Sequence, residues 1–232
     1  MTLAPDAHCH PGAGSSRRRF VCAARIGDWP EVTGAGDRGD AAFYGVHPFF
    51  AGEAPPAESV AESLRAVLHG HPRAGVGEIG LDRLRSKDGS GLQMPLFLAQ
   101  LAVAADMGRT VALHGAKAWG ETVKAAKPFA GKIPAFIFHG FSRSEGLVDE
   151  IAAMNGYFGV GAAILNSHAV NYRNLVRRLP RERLLAETDG PRPGDGAAPD
   201  IGEIVAGLAG VLGTDRMELE SLLAENAARL GV

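Results

Sequence analysis

Cysteine is scarce in this sequence, and neither a signal peptide nor a long apolar segment is found in it. Cys9 and Cys22 are the only two cysteines among 232 residues, so we expect no disulfide framework and predict a reducing, cytoplasmic location. The N-terminus lacks the basic start and apolar run of a signal peptide. No window approaches the roughly 20 apolar residues of a membrane-spanning helix, so we expect no membrane partner.

Charge of one sign and aromatic side chains are also limited. The formal net charge is -2, so any attraction to phosphate must be local rather than a property of the whole surface. Aromatic residues make up 6% of the chain, which argues against a long stacking platform for single-stranded nucleic acid. Function must therefore depend on a few well-placed side chains.

Short apolar segments alternate with helical patterns along the whole chain. Helices are predicted, for example, in a long apolar segment that ends at Gly108 and in a segment that begins with a capping Ser144. Eight short segments, several of them bounded by Gly or Pro, are predicted as strands: LAPDAHCH, RRFVCAA, AAFYGVHP, AGVGEIGLD, RTVALHG, AFIFHGF, GYFGVGA and RLLAETD. The alternation predicts an α/β fold, a (β/α)8 TIM barrel forming one domain over residues 1–232.

Two segments depart from a regular barrel. PGAGSS, after His10, is too short for the helix that should join the first two strands, so we predict a barrel distorted or shortened near its first helix. A missing helix would expose barrel surface that a second subunit could cover, and both monomer and homodimer remain open. RPGDGAAPDIG, after the last strand, is predicted to be a loop over the barrel mouth.

The segment DAHCH, Asp6 to His10, offers several metal-binding side chains. His8 and His10 are two residues apart, so on a strand both side chains point to the same face, here the barrel interior. Cys9 then points toward the helix layer and is not expected to be a ligand. Asp6 shares the parity of His8 and is predicted either to orient it or to cap the loop.

Four further strands place a polar group where strand meets loop, at the catalytic face of a barrel. These groups are Glu78, His114, His139 and Asp189. Taken singly, each is equally compatible with a core histidine or a turn carboxylate. Together with His8 and His10 they could hold two divalent ions that share a bridging carboxylate.

The successive motifs resemble those of the TatD family of metal-dependent hydrolases and deoxyribonucleases. They are DAHCH, GVHP, GVGEIGLD with Gln93 and Gln100 following, LHG, FHGFS, LLAETDGP and ENAARL. The resemblance implies a barrel of the amidohydrolase type with nuclease or phosphodiesterase activity. It also implies that one metal is held by His8, His10 and Asp189, the second by His114 and His139, and that Glu78 bridges them.

The implied reaction is attack on a phosphodiester by a metal-bridging hydroxide, with Glu78 and Asp189 as catalytic residues and Asp189 accepting the proton. The chain departs from the family after two histidines, reading HGAKAWGE and HGFSRS. We predict that Lys117 and Arg143 contact phosphate there, with solvated loop charge as the alternative. His47 is predicted to line the pocket, and Arg192 is a weaker candidate for phosphate contact.

Several alternatives stay open from sequence. The ions could be Zn, Mn or Mg, and the substrate DNA, another phosphodiester, or a lactone, amide or small ester; a non-catalytic binding barrel is a third alternative. Trp119 could stack a base or be buried. The run Arg17–Arg19 is predicted to be a solvated cluster on the stability face, and His69, His71 and His168 to lie on the surface.

Overall fold

Eight parallel strands pair in chain order in this computed structural model, which describes residues 3–12, 15–84, 91–191 and 200–232. The strands are β1 (Asp6–Cys9), β2 (Arg19–Cys22), β3 (Ala41–Tyr44), β4 (Gly75–Gly80), β5 (Val111–His114), β6 (Phe136–Phe138), β7 (Gly156–Val160) and β8 (Leu184–Ala186). Seven of the eight possible neighbour pairs form parallel ladders, and the register shifts in two of them, β1 with β2 and β4 with β5. The predicted (β/α)8 barrel is confirmed.

The barrel closes where the first strand meets the segment after the last. The backbone N–H of Asp189 donates to the carbonyl of His8 at 2.9 Å, and the N–H of His10 donates to the carbonyl of Gly190 at 2.7 Å. Closure at this level joins two predicted site segments directly.

Eight α-helices of the described residues pack around the strands. They are α1 (Trp29–Asp37), α2 (Ala57–Gly70), α3 (Gln93–Met107), α4 (Trp119–Ala126), α5 (Val148–Ala153), α6 (Val170–Arg178), α7 (Ile201–Leu212) and α8 (Arg216–Ala228). Helix α3 ends at Gly108, whose φ of 61° requires the left-handed conformation that glycine adopts most easily. None of these helices is long and apolar enough to cross a membrane.

Side chains alternate between the barrel interior and the helix layer with the period of two expected for strands. In β2 and β3, Phe20, Cys22 and Phe43 pack inward, while Val21 and Tyr44 belong to the core beneath the helices. The same parity carries polar groups inward at the upper ends of the strands. Apolar side chains therefore fill the barrel interior near the N-terminal ends of the strands, and a polar layer lies above them at the C-terminal ends.

The connection between β1 and β2 is the irregular part of the barrel. Its described residues contain no helix, as the short segment predicted. The expectation of exposed barrel surface is wrong, because Cys9 and Val21 are 0% and 1% exposed. Arg17, on the connection, donates to both carboxylate oxygens of Glu220 in α8 at 2.9 and 3.1 Å. The β1–β2 connection and α8 are thus joined on the side of the barrel where the helix is missing.

Three other local expectations need correction. The prediction of a solvated arginine cluster is wrong for Arg17 and Arg19, whose side chains are mostly buried in ion pairs with Glu220 and Asp40, whereas Arg18 is exposed as predicted. Ser144 makes no side-chain cap bond and precedes a short 3-10 turn rather than α5. Part of the predicted mouth loop is helical, because Asp200 caps α7 and α7 begins at Ile201. Residues 192–199 of that loop lie outside the described residues.

Candidate metal centre

Glu78, in β4, lies at the middle of the polar layer and is 1% exposed. Its Oε2 faces His8 Nε2 at 3.2 Å and His10 Nε2 at 3.6 Å. Its Oε1 faces His114 Nδ1 at 2.8 Å and His47 Nε2 at 3.8 Å. The two oxygens of one carboxylate therefore point at two different groups of histidines.

A second group forms around Asp189, beyond β8. The rings of His8 and His139 stack with centroids 3.8 Å apart and an interplanar angle of 16°. Asp189 Oδ1 lies 3.8 Å from His8 Nε2, 3.6 Å from His10 Nε2 and 3.4 Å from His139 Nε2. The backbone of Asp189 is left-handed, with φ of 56°, which sets the direction of the carboxylate.

The outer nitrogens of His10 and His139 are held by groups behind the site. His10 Nδ1 lies 3.0 Å from the carbonyl oxygen of Cys22, which can only accept, so Nδ1 carries the proton and Nε2 is left for the site. His139 Nδ1 lies 2.8 Å from Glu187 Oε1, which also accepts from the N–H of Gly140 at 2.6 Å. Such partners fix the orientation of metal-binding imidazoles.

Glu187 was not predicted from sequence, although it shares strand parity with Asp189. It is fully buried, and its Oε2 has no hydrogen-bond partner among the described residues. A Cβ on Gly159 would overlap that oxygen, so a glycine in β7 makes the room for this carboxylate. Burial opposes ionisation of Glu187, but the neighbouring His139 outweighs it and lowers the pKa.

His114 contacts a carboxylate through each ring nitrogen. Nδ1 lies 2.8 Å from Glu78 Oε1, and Nε2 lies 2.9 Å from Oδ2 of Asp82. Burial alone would lower the pKa of His114, but Glu78 and Asp82 raise it overall. Asp82 was also missed from sequence; its backbone N–H donates to Gln93 Oε1 at 2.9 Å, which fastens this pair to α3.

His47 faces Glu78, and a backbone hydrogen bond fixes which of its ring nitrogens carries the proton. Its Nδ1 accepts from the backbone N–H of Phe49 at 3.0 Å, so a neutral ring carries its proton on Nε2, the atom turned toward Glu78. The preceding residue is fixed by α3, since Gln100 accepts from the N–H of Val46 at 2.8 Å and donates to its carbonyl at 3.2 Å. His47 thus presents a donor to the site.

Asp6 supports the end of β8 rather than the ring of His8. It accepts from the backbone N–H of Thr188 at 2.9 Å and from the Thr188 hydroxyl at 2.6 Å. A weaker bond joins it to the N–H of His8 at 3.4 Å. Burial raises the pKa of Asp6 to about 6, against the opposing effect of the Thr188 bonds.

The protonation states in the cluster suit a cation. Burial, with repulsion from His139, lowers the pKa of His8 to about 4, so the ring is neutral at neutral pH. Burial opposes the charge on Glu78, but His8, His47 and the other nearby imidazoles lower its pKa well below the ordinary value. Neutral imidazole and ionised carboxylate are the forms that bind metals.

The same residues pass a simple test of fit for a metal ion. His8 Nε2 is fully buried and has no hydrogen-bond partner among the described residues, although two carboxylates face it. Two groups bring ligand atoms within 4.8 Å of one another: His8, His10 and Glu78; and His8, His139 and Asp189. A third group at this spacing joins Glu78 and His114 with His47, whose neutral ring presents a proton to the site rather than a lone pair. Imidazole and carboxylate donors in this mixture suit Zn, Mn or Fe.

The rings of His114 and His139, which the family resemblance assigns to one metal, lie further apart than the rings of His8 and His139. The ring centroids of His114 and His139 are 6.4 Å apart, whereas His139 stacks on His8. The seven predicted residues nevertheless converge on one region, and the six expected ligands and His47 all take part: His8, His10, His47, Glu78, His114, His139 and Asp189.

Lys117 and Arg143 do not join the cluster. Both are exposed in the loops after β5 and β6, with left-handed φ values of 52° and 59°. Within the described ranges, no hydrogen bond or ion pair engages either side chain. Arg192 lies outside the described residues.

Trp119 is 6% exposed and packs against Phe138 and Phe141, so of its two predicted roles burial is the one observed. Cys9 is fully buried in the core beneath the helices, on the opposite side from the ligands, as strand parity predicted. Cys22 was not singled out from sequence; it points inward, with Sγ 3.4 Å from His8 Nδ1. His69 and His168 are exposed as predicted, but His71 is partly buried.

The chain is similar to known proteins in both sequence and fold. The model of the family described as TatD related DNase matches residues 17–230, a range that begins after His8 and His10. A relative from Edwardsiella piscicida, named 3'-5' ssDNA/RNA exonuclease TatD, is 32% identical over 148 residues, which is 63% of this chain and 56% of that protein. The match to such relatives thus spans little more than half of their length.

A relative of the same name from Erwinia tasmaniensis matches more fully, at 30% identity over 80% of this chain and 76% of its own. Among solved structures, the TatD homologue YjjV from Escherichia coli K12 superimposes with a TM-score of 0.84 at 23% identity, covering 98% of this chain and 97% of that one. A TatD family hydrolase from Entamoeba histolytica gives 0.81 at 15%, covering 99% and 98%, and both likenesses concern the fold alone. The chain belongs to the TatD family.

Proposed function

We propose that this protein is a divalent-metal-dependent phosphodiesterase that removes nucleotides from the ends of single-stranded nucleic acid. The observation that carries the proposal is the buried cluster in which neutral His8 and ionised Glu78 face each other, with His8 Nε2 3.2 Å from Glu78 Oε2. The relatives named as single-strand exonucleases support the choice of substrate.

We assign one ion to His8, His10 and Asp189 and a second to His114 and His139, with Glu78 shared. The two Glu78 oxygens, directed at separate histidine groups, support the shared role. When bound, the ions would supply Lewis acidity toward the phosphodiester and lower the pKa of water. To hold a cation, His114 would have to present a nitrogen without a proton, and its two ring nitrogens face the carboxylates of Glu78 and Asp82.

The other groups act directly on substrate and protons. Asp189 Oδ1 faces three imidazoles and is placed to accept the proton of the attacking water. His47 Nε2–H donates to a phosphoryl oxygen. Lys117 and Arg143, exposed on the rim, contact the phosphate backbone further out.

The test is activity after removal and return of metal. The chelated protein should not hydrolyse bis(p-nitrophenyl) phosphate or a single-stranded oligonucleotide, and Mn, Zn or Mg should restore activity. Glu78→Gln should remain inactive with metal present, whereas Glu53→Gln, a change of the same kind at an exposed site, should be fully active. Full activity of the chelated protein or of Glu78→Gln would refute the proposal.

The rim cations have a separate test. Arg143→Ala should raise KM for an oligonucleotide and leave kcat unchanged, because the contact is made equally in the bound state and the transition state. Lys124→Ala removes an exposed cation in the last turn of α4 and serves as the control. Unchanged KM in Arg143→Ala would remove this residue from the substrate site.

A further inference from the structure

Phe49 is an aromatic side chain left at the surface beside the candidate metal centre. It is 41% exposed, and the other large exposed apolar side chains of the described residues are aliphatic: Leu3, Leu84, Leu92, Leu98, Leu165, Val170 and Met217. Trp119 and Phe141, which also follow strands at the mouth, are buried. A single exposed apolar side chain is ordinary on a protein surface. What distinguishes Phe49 is the place of its ring, which lies beside His47 and His114 of the candidate metal centre.

The ring is held at a defined place rather than projecting freely. Phe49 lies in a short 3-10 helix, Pro48–Phe50, and its backbone N–H is bonded to His47 Nδ1 at 3.0 Å. Its ring meets the His47 ring edge-on, with centroids 4.4 Å apart and an angle of 72°. It meets the His114 ring at 5.8 Å and 67°. Two imidazoles of the cluster therefore fix the phenyl ring at the edge of the site.

This position matches where a nucleobase would lie. A base is joined to its phosphate through a single sugar, so a phosphodiester at Glu78 and His47 brings the adjoining base to the edge of the cluster. Every base has an aromatic face, and stacking on a protein ring is strong and tolerant of sequence. In a duplex the base is already stacked and paired, which leaves a single strand as the form that can use the ring.

We propose that Phe49 stacks on the base of the nucleotide that adjoins the scissile phosphodiester, and that it thereby selects unpaired, base-bearing ends. The inference rests on the proposed phosphodiesterase function and deepens it. One fixed ring also accounts for how a chain with 6% aromatic residues could bind a single strand without a long stacking platform. Stacking on Phe49 would distinguish a nucleotide that has a base from one that lacks it, but would not distinguish one base from another.

The experiment compares two single-stranded oligonucleotides that differ in one position. One carries a normal nucleotide at the end that is cleaved, and the other carries an abasic tetrahydrofuran residue there. The metal-loaded wild-type protein should cleave the normal end with kcat/KM about 5 to 150 times that for the abasic end. Phe49→Ala and Phe49→Leu should bring this ratio close to one, and Phe49→Trp should preserve it.

The control is Leu165→Ala, which removes an apolar side chain of nearly equal exposure, 42%, from the mouth beyond β7 and should leave the ratio unchanged. A second readout needs no catalysis: 2-aminopurine at the same terminal position should lose fluorescence on binding the wild-type protein in chelator, and lose less with Phe49→Leu.

Two failures can be told apart. If both oligonucleotides are cleaved with the same kcat/KM by the wild-type protein, or if Phe49→Ala keeps the wild-type ratio, stacking on Phe49 is refuted and the phosphodiesterase function stands. If neither oligonucleotide is cleaved with any of Mn, Zn or Mg, the proposed function falls and this inference falls with it.

Discussion

Among the histidines of the cluster, His47 is distinguished by an Nδ1 atom that accepts a backbone hydrogen bond. The N–H of Phe49 occupies Nδ1, so the atom facing Glu78 bears a proton and cannot bind a cation while neutral. At His10 the arrangement is reversed, because Nδ1–H donates a hydrogen bond to the Cys22 carbonyl and leaves Nε2 without a proton. Backbone hydrogen bonds thus separate a donor from a ligand in chemically identical side chains.

Two of these histidines should make the stability of the metal-free protein depend on pH. Burial lowers the pKa of His8 to about 4 and that of His47 to about 3, from 6.5 in an unfolded chain. Below pH 6.5 the unfolded state binds more protons than the folded state. The contribution of these two neutral histidines to the free energy of unfolding is therefore complete above pH 6.5, and it decreases as the pH drops toward 4.

His47→Gln should remove about 2 kcal/mol of the stability lost between about pH 7 and pH 5. Urea unfolding in chelator at the two pH values measures the effect. His168→Gln, at an exposed histidine, should retain the wild-type dependence. Equal pH dependence in His47→Gln and wild type would show that His47 titrates normally in the folded state.

Gly159 is a second residue whose effect is transmitted through a neighbour. Gly159→Ala would place a methyl group against Glu187 Oε2 and push this carboxylate from His139. We expect a loss of about 1–3 kcal/mol in the free energy of unfolding and weaker metal retention on dialysis. Gly210→Ala, where an added Cβ has open space, should cost nothing. Wild-type metal content in Gly159→Ala would argue against the role of Glu187.

The positions of the candidate ligands were predictable from strand parity and strand ends, but their partners were not. Parity alone placed His8 and His10 inward and Cys9 outward. The same parity relates Glu187 to Asp189 and could have identified it. The stacking of His139 on His8 could not be predicted, because the tilt of strands in a barrel brings residues distant in sequence to the same level.

At the scale of elements, α3 carries two glutamines that each secure one loop of the site. Gln93 accepts a hydrogen bond from the backbone N–H of Asp82. Gln100 bonds to both the N–H and the carbonyl of Val46, which precedes His47. The two glutamines are seven residues apart, which is close to two helical turns and puts them on the same face. One helix therefore sets the relative height of the β3 and β4 loops.

Gln100→Met keeps the volume and removes these bonds. It should cost about 1–3 kcal/mol of stability, because the buried Val46 N–H loses its partner. It should also lower kcat, and the double variant with His47→Gln should lose little more than His47→Gln alone, since both act through one imidazole. Leu98→Ala, at an exposed position of α3, is the control. Additive losses in the double variant would contradict this coupling.

Helix α7 shows where sequence patterns were misread. Its interior contains Gly202, Gly207 and Gly210, which lower helix propensity, and a Gly/Pro-rich segment precedes it. The capping box of Asp200 and Glu203 was the available indication of a helix start. Conversely, Ser144 has the right residue type for a cap but no cap bond, because a 3-10 turn precedes α5.

For the whole molecule, the ion pair of Arg17 and Glu220 stands in for a missing helix. The two side chains are 10% and 2% exposed, and they join the β1–β2 connection to α8. Sequence correctly predicted that the helix was absent, but not what replaced it, because the partner is some 200 residues away. The predicted choice between monomer and homodimer, and the prediction of one domain, stay predictions.

Arg17→Met should destabilise the protein by about 3 kcal/mol, because it leaves the Glu220 carboxylate buried without its main partner. The exposed pair of Arg65 and Asp106 provides the contrast, and Arg65→Met should cost less than about 1 kcal/mol. Urea unfolding compares the two. Similar small losses would mean that the β1–β2 connection is held by other contacts.

The closure of the barrel by β1 and the segment after β8 has a consequence for the order of assembly. His8 and Asp189 meet through a backbone hydrogen bond, yet most of the chain is synthesised between them. During translation the two histidines of β1 emerge first, and the Asp189 carboxylate that completes their group emerges only after all eight strands have been made. A chain that stops before Asp189 therefore lacks a complete site, so the proposed metal-dependent activity would arise only once the whole barrel has been made.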